Sequence, residues 1–300
     1  MDSIAILEKL VAFPTVSRDS NLGLISYVAE VLEEHGIAYE LIHDAAGGKA
    51  NLFATVGPKD RPGVMLSGHT DVVPVKGQAW TMPPFALTQH DGRLYGRGTA
   101  DMKGFVACAL RAMVMAARQP LKVPLHLALS YDEEVGCLGV RSLVGMLAEM
   151  PVKPWLCLVG EPTGMQVATG HKGKLAARAT CCGREGHSAL APLALNALHL
   201  GCDFVGVLRD EQDRLAREGA RDTDYDIPYT TVHVGKMSGG VALNIVPNRC
   251  EIDFEIRNIA ADDADTLLSG LRMRAEEIVA GVAERVPEAA TPATISSARI

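Results

Sequence analysis

Five segments of the chain end an apolar run on side chains that a hydrophobic core rejects. In VMLSGHTDVVP the run stops at His69, with Asp71 two residues on. A metal-binding imidazole needs its second nitrogen held, and a carboxylate close along the same backbone can hold it. In LYGRGTADMKGF two glycines precede Asp101; glycine lets the backbone come close, and one carboxylate can bridge two cations through its two oxygens. LALSYDEEVGC sets Asp132, Glu133 and Glu134 in succession, three acids whose mutual repulsion is relieved if cations neutralise them. Neighbouring glutamates point different ways, so one can bind metal while the other moves protons. LCLVGEPTG delivers Glu161, and CGREGHSALAP brings His187. Taken singly, each has a plainer reading: an isolated histidine with its hydrogen bonds satisfied, Asp101 as a helix N-cap, His187 as a structural group or a hydrogen-bond donor to substrate. Taken together, one histidine and several carboxylates at successive strand ends, without cysteine ligands, make a hard, oxygen-rich dinuclear site of the hydrolytic kind.

Those side chains meet only if the runs before them are strands of one sheet, because α/β proteins gather ligands outside the carboxyl ends of their strands. Periodicity predicts strands over 51–56, 63–67, 123–130 and 155–159, and helices over about 4–12, 24–35, 102–117 and 139–149. That alternation predicts an α/β sheet with helices on both faces. Past His171 the pattern changes to a strand over 175–182, a helix over 192–217, strands over 230–236 and 249–257, and a helix over 262–285. This βαββαβ-like order lacks only its last strand to be ferredoxin-like, and Leu198, Cys202, Val205 and Leu208 are the expected packing face of its first helix. The final stretch, PEAATPATISSARI, carries no period and reads as a loose tail. The expected divisions are 1–171, 172–284 and a tail of uncertain structure over 285–300.

Composition narrows the partners. The 300 residues carry 29 Lys and Arg against 36 Asp and Glu, a net charge of −7 with no basic run, which excludes phosphate-rich partners such as nucleic acid or an anionic membrane and favours a small-molecule substrate. No apolar stretch approaches the roughly 20 residues of a membrane-spanning helix. The opening MDSIAILEKLVAF mixes acids with apolar residues and has no basic leader, so the protein is expected in the cytoplasm. Seven cysteines, at 108, 137, 157, 181, 182, 202 and 250, form no Cys-x-x-Cys pair; they are expected to be reduced thiols, most of them buried as small apolar groups.

SGHTDVVP, GRGTADMKG, SYDEEVGCLG and GEPTG, in this order and spacing, together resemble the M20 metallopeptidase family and, within it, the acetylornithine deacetylases. The resemblance spans residues 1 to about 285 and implies a zinc-hydrolase-like mixed sheet with an inserted lid and dimerisation domain. It implies two zinc ions per complete subunit, with cobalt able to substitute: His69, Asp101 and Glu161 on one, and Asp101 bridging to a second that Glu134 also holds. Glu133 would then be the general base and Asp71 the group behind His69. His187 would reach into the partner subunit's site of a homodimer, while Asn244 and Arg257 would contact the substrate and its carboxylate, which the planar fork of an arginine suits. The implied reaction is hydrolysis of N2-acetyl-L-ornithine to acetate and L-ornithine, a step of arginine biosynthesis; desuccinylases and other N-acyl amino acid amidohydrolases or peptidases share the same motifs. The family pattern also includes a later metal-binding histidine, whereas no histidine follows His233 here and the text after about residue 290 departs from the pattern. The second metal site is therefore expected to be weakened, and a non-catalytic, dimerising remnant is the alternative from another class.

Overall fold

The computed structural model describes residues 2–285 and 294–299, in two compact units, Met1–Val167 and Ala168–Ile300. The first unit begins with α1 (Ser3–Ala12), whose N-terminus is capped by the Asp2 carboxylate accepting from the Ala5 amide at 2.8 Å. It continues through α2 (Leu22–Glu34), β1 (Tyr39–His43), β2 (Ala50–Val56), β3 (Val64–His69) and a short hairpin of β4 (Thr88–His90) and β5 (Arg93–Tyr95). Then come α3 (Lys103–Ala116), β6 (Leu125–Ser130), α4 (Val140–Glu149) and β7 (Leu156–Val159). The sheet order is β1-β2-β6-β3-β7. β2 runs antiparallel to β1 and β6, while β3 runs parallel to β6 and β7.

Period-two alternation decides which side each strand residue covers. Leu52, Ala54, Leu127 and Leu129 join the core made with α1, α2 and α3, and Phe53 and Ala128 pack with Leu143 of α4. The mixed sheet with helices on both faces is thus the one expected. His126 also points to the α4 side, stacked on Phe53 at 5.4 Å between ring centroids and hydrogen-bonded to Thr55 at 2.9 Å, a core histidine with its needs met. The parallel pairing aligns the carboxyl ends of the central strands. His69 stands opposite Ser130, and the Gly160 amide continues the ladder by donating to the Ser67 carbonyl at 3.2 Å.

The second unit contains β8 (Leu175–Cys182), β9 (Gly186–His187), a 3-10 turn (Ser188–Leu193), α5 (Ala197–Glu218), β10 (Thr231–Gly239), β11 (Ile245–Val246), β12 (Arg249–Arg257), α6 (Ala264–Arg285) and β13 (Thr294–Arg299). Its main sheet, β10-β12-β8-β13, is antiparallel throughout. Here the expected loose tail is corrected: 294–299 pair along β8 from Thr294 opposite Cys182 to Arg299 opposite Ala177 and complete the βαββαβ order. The backbone supplies the reason, because without β13 one whole edge of β8 would lack ladder partners. Residues 286–293 of that stretch lie outside the described residues.

Three further expectations shift. The helix expected from residue 192 begins at Ala197, because Asn196 takes the N-cap and its side chain accepts from the Leu198 amide, leaving Pro192 in the 3-10 turn. Its packing face is Ala197, Leu200, Gly201, Phe204, Val207 and Leu208, with Leu198 and Val205 at the margin and Cys202 exposed; the large Phe204 ring, edge-on to Phe254 at 5.9 Å, sets the rotation of the helix. Most cysteines are not buried: Cys108, Cys137, Cys157 and Cys202 are exposed, and only Cys181 and Cys250 are fully enclosed, opposite one another on β8 and β12.

Phe204 is 1% exposed at the centre of this second core. Replacing it, Phe204→Ala, is expected to lower the stability of the unit by about 3–5 kcal/mol through lost burial and the cavity left behind. Denaturant unfolding followed by circular dichroism checks this. Arg178→Ala, which removes a half-exposed pair with Asp253, is expected to cost no more than about 1 kcal/mol in the same experiment.

Candidate metal centre

β3 delivers His69 at its last position, where the side chain is 2% exposed. Its Nδ1 lies 2.9 Å from the backbone carbonyl of Asp71 and 3.5 Å from the Asp71 carboxylate. In the neutral ring, with Nδ1–H donated there, Nε2 is left as a lone-pair donor. Around Nε2 stand Asp101 at 3.1 Å, Glu161 at 3.8 Å and Glu133 at 3.9 Å. Among the described residues, two triads have ligand atoms all within 4.8 Å of one another: His69 with Glu133 and Glu161, and His69 with Asp101 and Glu134. The structure therefore gathers all five side chains round one point, though its triads divide the two glutamates of the 133–134 pair differently from the resemblance.

Each acid arrives by its own element. Glu161 follows β7, and Glu133 and Glu134 follow β6. Asp101 is brought in by the turn before α3, where Gly98 takes φ +85° and packs so close to Val72 and Lys103 that a Cβ would come within 2.9 Å of the valine. The next two residues anchor this turn. Met102 sulfur accepts from the His69 amide at 3.3 Å, and Lys103 sends its ammonium to the Leu10 and Phe13 carbonyls at 3.0 and 2.7 Å. Lys103 is fully buried, yet its charge meets the carbonyl-rich C-terminal end of α1, where a cation is favoured. Its ammonium is pushed down to about 7 by burial, against the pull of Asp71.

Asp71 ties these pieces together. It is 3% exposed and accepts from Ser17 Oγ at 2.7 Å, the Glu133 amide at 3.0 Å and the Glu134 amide at 3.3 Å, besides facing the His69 ring. Burial acts to raise its pKa, but the hydrogen bonds from His69, Ser17 and the Glu133 amide outweigh it and hold the carboxyl below the usual range. Asp132, the first of the three consecutive acids, belongs to neither triad and turns instead to Lys49.

The site strains toward a cation. Burial disfavours a charged His69, yet the Asp71 hydrogen bond and the charges of Asp71, Glu133 and Glu161 raise its pKa to about 9. Glu134 and Glu161 are both raised, first by burial and then by like charge from Asp101 and Glu133. Four crowded carboxylates, of which Glu134 and Glu161 resist ionisation, and one imidazole with its far nitrogen fixed form a donor set, without a cysteine in either triad, that divalent metal fits.

The remaining sequence-derived residues lie in the second unit. His187 and Ile245 pair as β9 and β11, the Ser188 amide donates to the Asn244 carbonyl at 3.0 Å, and His187 Nδ1 accepts from the Ala189 amide at 3.1 Å. His187 and Asn244 are thus brought together, with the His187 Nε2 left as the N–H. Arg257 ends β12, opposite Thr231, and its Nε donates to Glu255 at 3.0 Å. Sequence reasoning missed Ser17, Lys49, Met102 and Lys103. Only Lys103 left a signal, as a charge inside an otherwise apolar helical run.

A mixed α/β sheet whose parallel strand ends converge on one imidazole and a ring of acids defines a metal-dependent hydrolase. Residues 65–299 match the family described as Peptidase family M20/M25/M40, and the chain belongs to that family. The match runs through β13, past the point where the sequence was expected to depart from the family. The chain is 35% identical over 269 residues to an acetylornithine deacetylase of Pasteurella multocida (strain Pm70), covering 86% of this chain and 69% of the relative. Among solved structures it resembles the M20 family metallo-carboxypeptidase Sso-CP2 from Sulfolobus solfataricus, with a TM-score of 0.75 and 19% identity over 99% of this chain and 78% of that one. It also resembles the Bacillus subtilis YXEP protein, a dinuclear metal binding peptidase from the M20 family, with a TM-score of 0.60 and 17% identity over 99% and 72% of the two chains.

The His69 pKa sets a pH dependence. Because it is raised from 6.5 to about 9 in the metal-free fold, the imidazolium stabilises that fold fully below about 6.5, and the contribution is lost as pH rises through about 9. Metal needs the neutral ring, so apparent zinc affinity is expected to climb between pH 6.5 and 9 and then level off, with one proton displaced from His69 near pH 7 when the ion it ligates binds. Competition against a chromophoric chelator across this range, with calorimetry in buffers of different ionisation enthalpy, measures both.

Proposed function

We infer that the protein hydrolyses the amide bond of N2-acetyl-L-ornithine to acetate and L-ornithine, a step of arginine biosynthesis, as a zinc-dependent enzyme of the cytoplasm. The observation that carries the reading is the placement of two acids after β6, where Glu133 and Glu134 leave one backbone turn with both amides held by Asp71. The acetylornithine deacetylase relative supports the substrate, and the dinuclear neighbour supports two metal ions. Among the described residues no helix is long and apolar enough to cross a membrane.

His69, Asp101 and Glu161 would hold one ion, and Asp101 and Glu134 the other. When bound, zinc or cobalt supplies Lewis acidity toward the scissile carbonyl and lowers the pKa of water. Glu133, 37% exposed in its side chain, takes the proton of the attacking water and returns it to the departing amine. Asp71 keeps the His69 ring oriented, and the free Nε2–H of His187 donates to the oxyanion as it forms. Residues 1–171 make the catalytic domain, and 172–284 a lid through which two copies pair. Asn244 and His187 sit at the end of the second unit near Arg249, whereas Arg257 lies eight residues along β12, about 26 Å at roughly 3.3 Å per residue. One small substrate can meet both groups only if two copies contribute, which supports the homodimer, with Arg257 turning from Glu255 to the substrate carboxylate.

Acetate release from N-acetylornithine is expected, abolished by chelator and restored by zinc or cobalt; hydrolysis that persists in excess chelator would refute the metal-dependent reading. Faster turnover of N-succinyl-diaminopimelate would reassign the acyl group. Glu133→Gln is expected to lower kcat by about 10²–10⁴-fold with metal content intact. Glu134→Gln is expected instead to lower occupancy of one metal site, as read by metal analysis after dialysis.

A further inference from the structure

The three acids after β6 do not act as one cluster. Asp132 has φ +52°, in the left-handed region that non-glycine residues rarely occupy, and its side chain is 10% exposed. Its Oδ2 takes the Lys49 ammonium at 2.6 Å, and its Oδ1 accepts from the Arg18 amide at 2.7 Å. Arg18 also has a left-handed φ, +76°, so two uncommon backbone conformations are locked to each other by one hydrogen bond. Lys49 is itself held. Its side chain is 12% exposed, its ammonium lies 5.7 Å from the Tyr131 ring centroid, and its amide donates to Asp44 at 2.8 Å.

The left-handed turn at Asp132 has a direct consequence. It reverses the chain so that the next two amides, of Glu133 and Glu134, both point back to the Asp71 carboxylate. The loop that supplies the Arg18 amide also supplies Ser17 to Asp71 and Asn21 to the Ala50 carbonyl and to Thr70. One loop therefore grips the start of β2 and the ends of β3 and β6 at once. We propose that the Lys49–Asp132 ion pair is a positioning element that fixes the turn from which Glu133 and Glu134 enter the metal centre. This rests on the reading of Glu133 as base and Glu134 as metal ligand, because those are the groups the turn aims.

Lys49→Met alone leaves a buried carboxylate unpaired and risks unfolding, so the decisive variant is Lys49→Met with Asp132→Asn. It removes both charges together, and asparagine tolerates the left-handed conformation and can still accept from the Arg18 amide. In metal-saturated protein this variant is expected to lose kcat by about 10- to 100-fold, the usual effect of removing a partner behind a metal ligand, with KM changed less than about twofold. Lys49→Arg, which restores a cation, is expected to recover most of the rate. Independently of turnover, amide hydrogen exchange at Glu133 and Glu134 is expected to accelerate in the double variant, while that at Leu127 and Leu129 of β6 stays as in the parent. Unchanged exchange at the two glutamates, or equal acceleration along the whole of β6, overturns the proposal and makes the pair merely structural. Absence of N-acyl hydrolysis in the parent protein would sink the functional reading, and the exchange measurement would still decide the role of the pair.

Discussion

A single buried carboxylate, that of Asp71, is the constraint on which the rest of the site hangs. An isolated charge enclosed to this degree is costly unless its lone pairs are answered. Here they are answered by a serine hydroxyl, two consecutive backbone amides and an imidazole. Those donors come from the loop after α1, from the turn after β6 and from the end of β3. The chain cannot satisfy Asp71 without bringing all three together, and doing so leaves His69 Nε2 facing the acids. Local electrostatics and global topology thus make the same demand.

The second anchor is Lys103, and it works in the opposite sense. Residues 101–103 send three consecutive side chains to three destinations: Asp101 to His69 Nε2, Met102 to the His69 amide, and Lys103 to the end of α1. The last contact uses the unpaired carbonyls of a helix terminus as the counter-charge of a buried ammonium. A negative residue and a positive one, two positions apart, therefore serve different neighbours, and of the two only the lysine is removed from water.

The donors and their strands were legible because they combine two strong signals, an apolar run and a polar residue at its end. His69, Glu133, Glu134 and Glu161 carry it, Asp101 is marked instead by the glycines before it, and all five meet. What stayed hidden lacked any local mark. Lys49 sits in a polar stretch between two strands and is indistinguishable by pattern from a solvated lysine, although it neutralises an acid 83 residues away. β1 and the three-residue strands β4 and β5 are too short to display a period. The face of α5 was misjudged because counting apolar letters weighs Cys202 like Phe204, whereas packing weighs them by volume. β13 was missed for the most general reason: nothing in TISSAR requires a strand until β8 presents an edge for it to join.

That last pairing orders events on the ribosome. β8 opens its sheet, but its neighbours on the two sides are β12 and β13, and Cys182 meets Thr294, 112 positions further along the chain. The described strands of the first unit are synthesised by residue 159, whereas β8 waits with one edge bare until β13 has left the exit tunnel. At typical synthesis rates of about 5–20 residues per second, that wait is on the order of 10 s. A long-range closure of this kind is slow to form, so the nascent protein carries a bare β8 edge, the feature most open to pairing with a second chain, until β13 arrives.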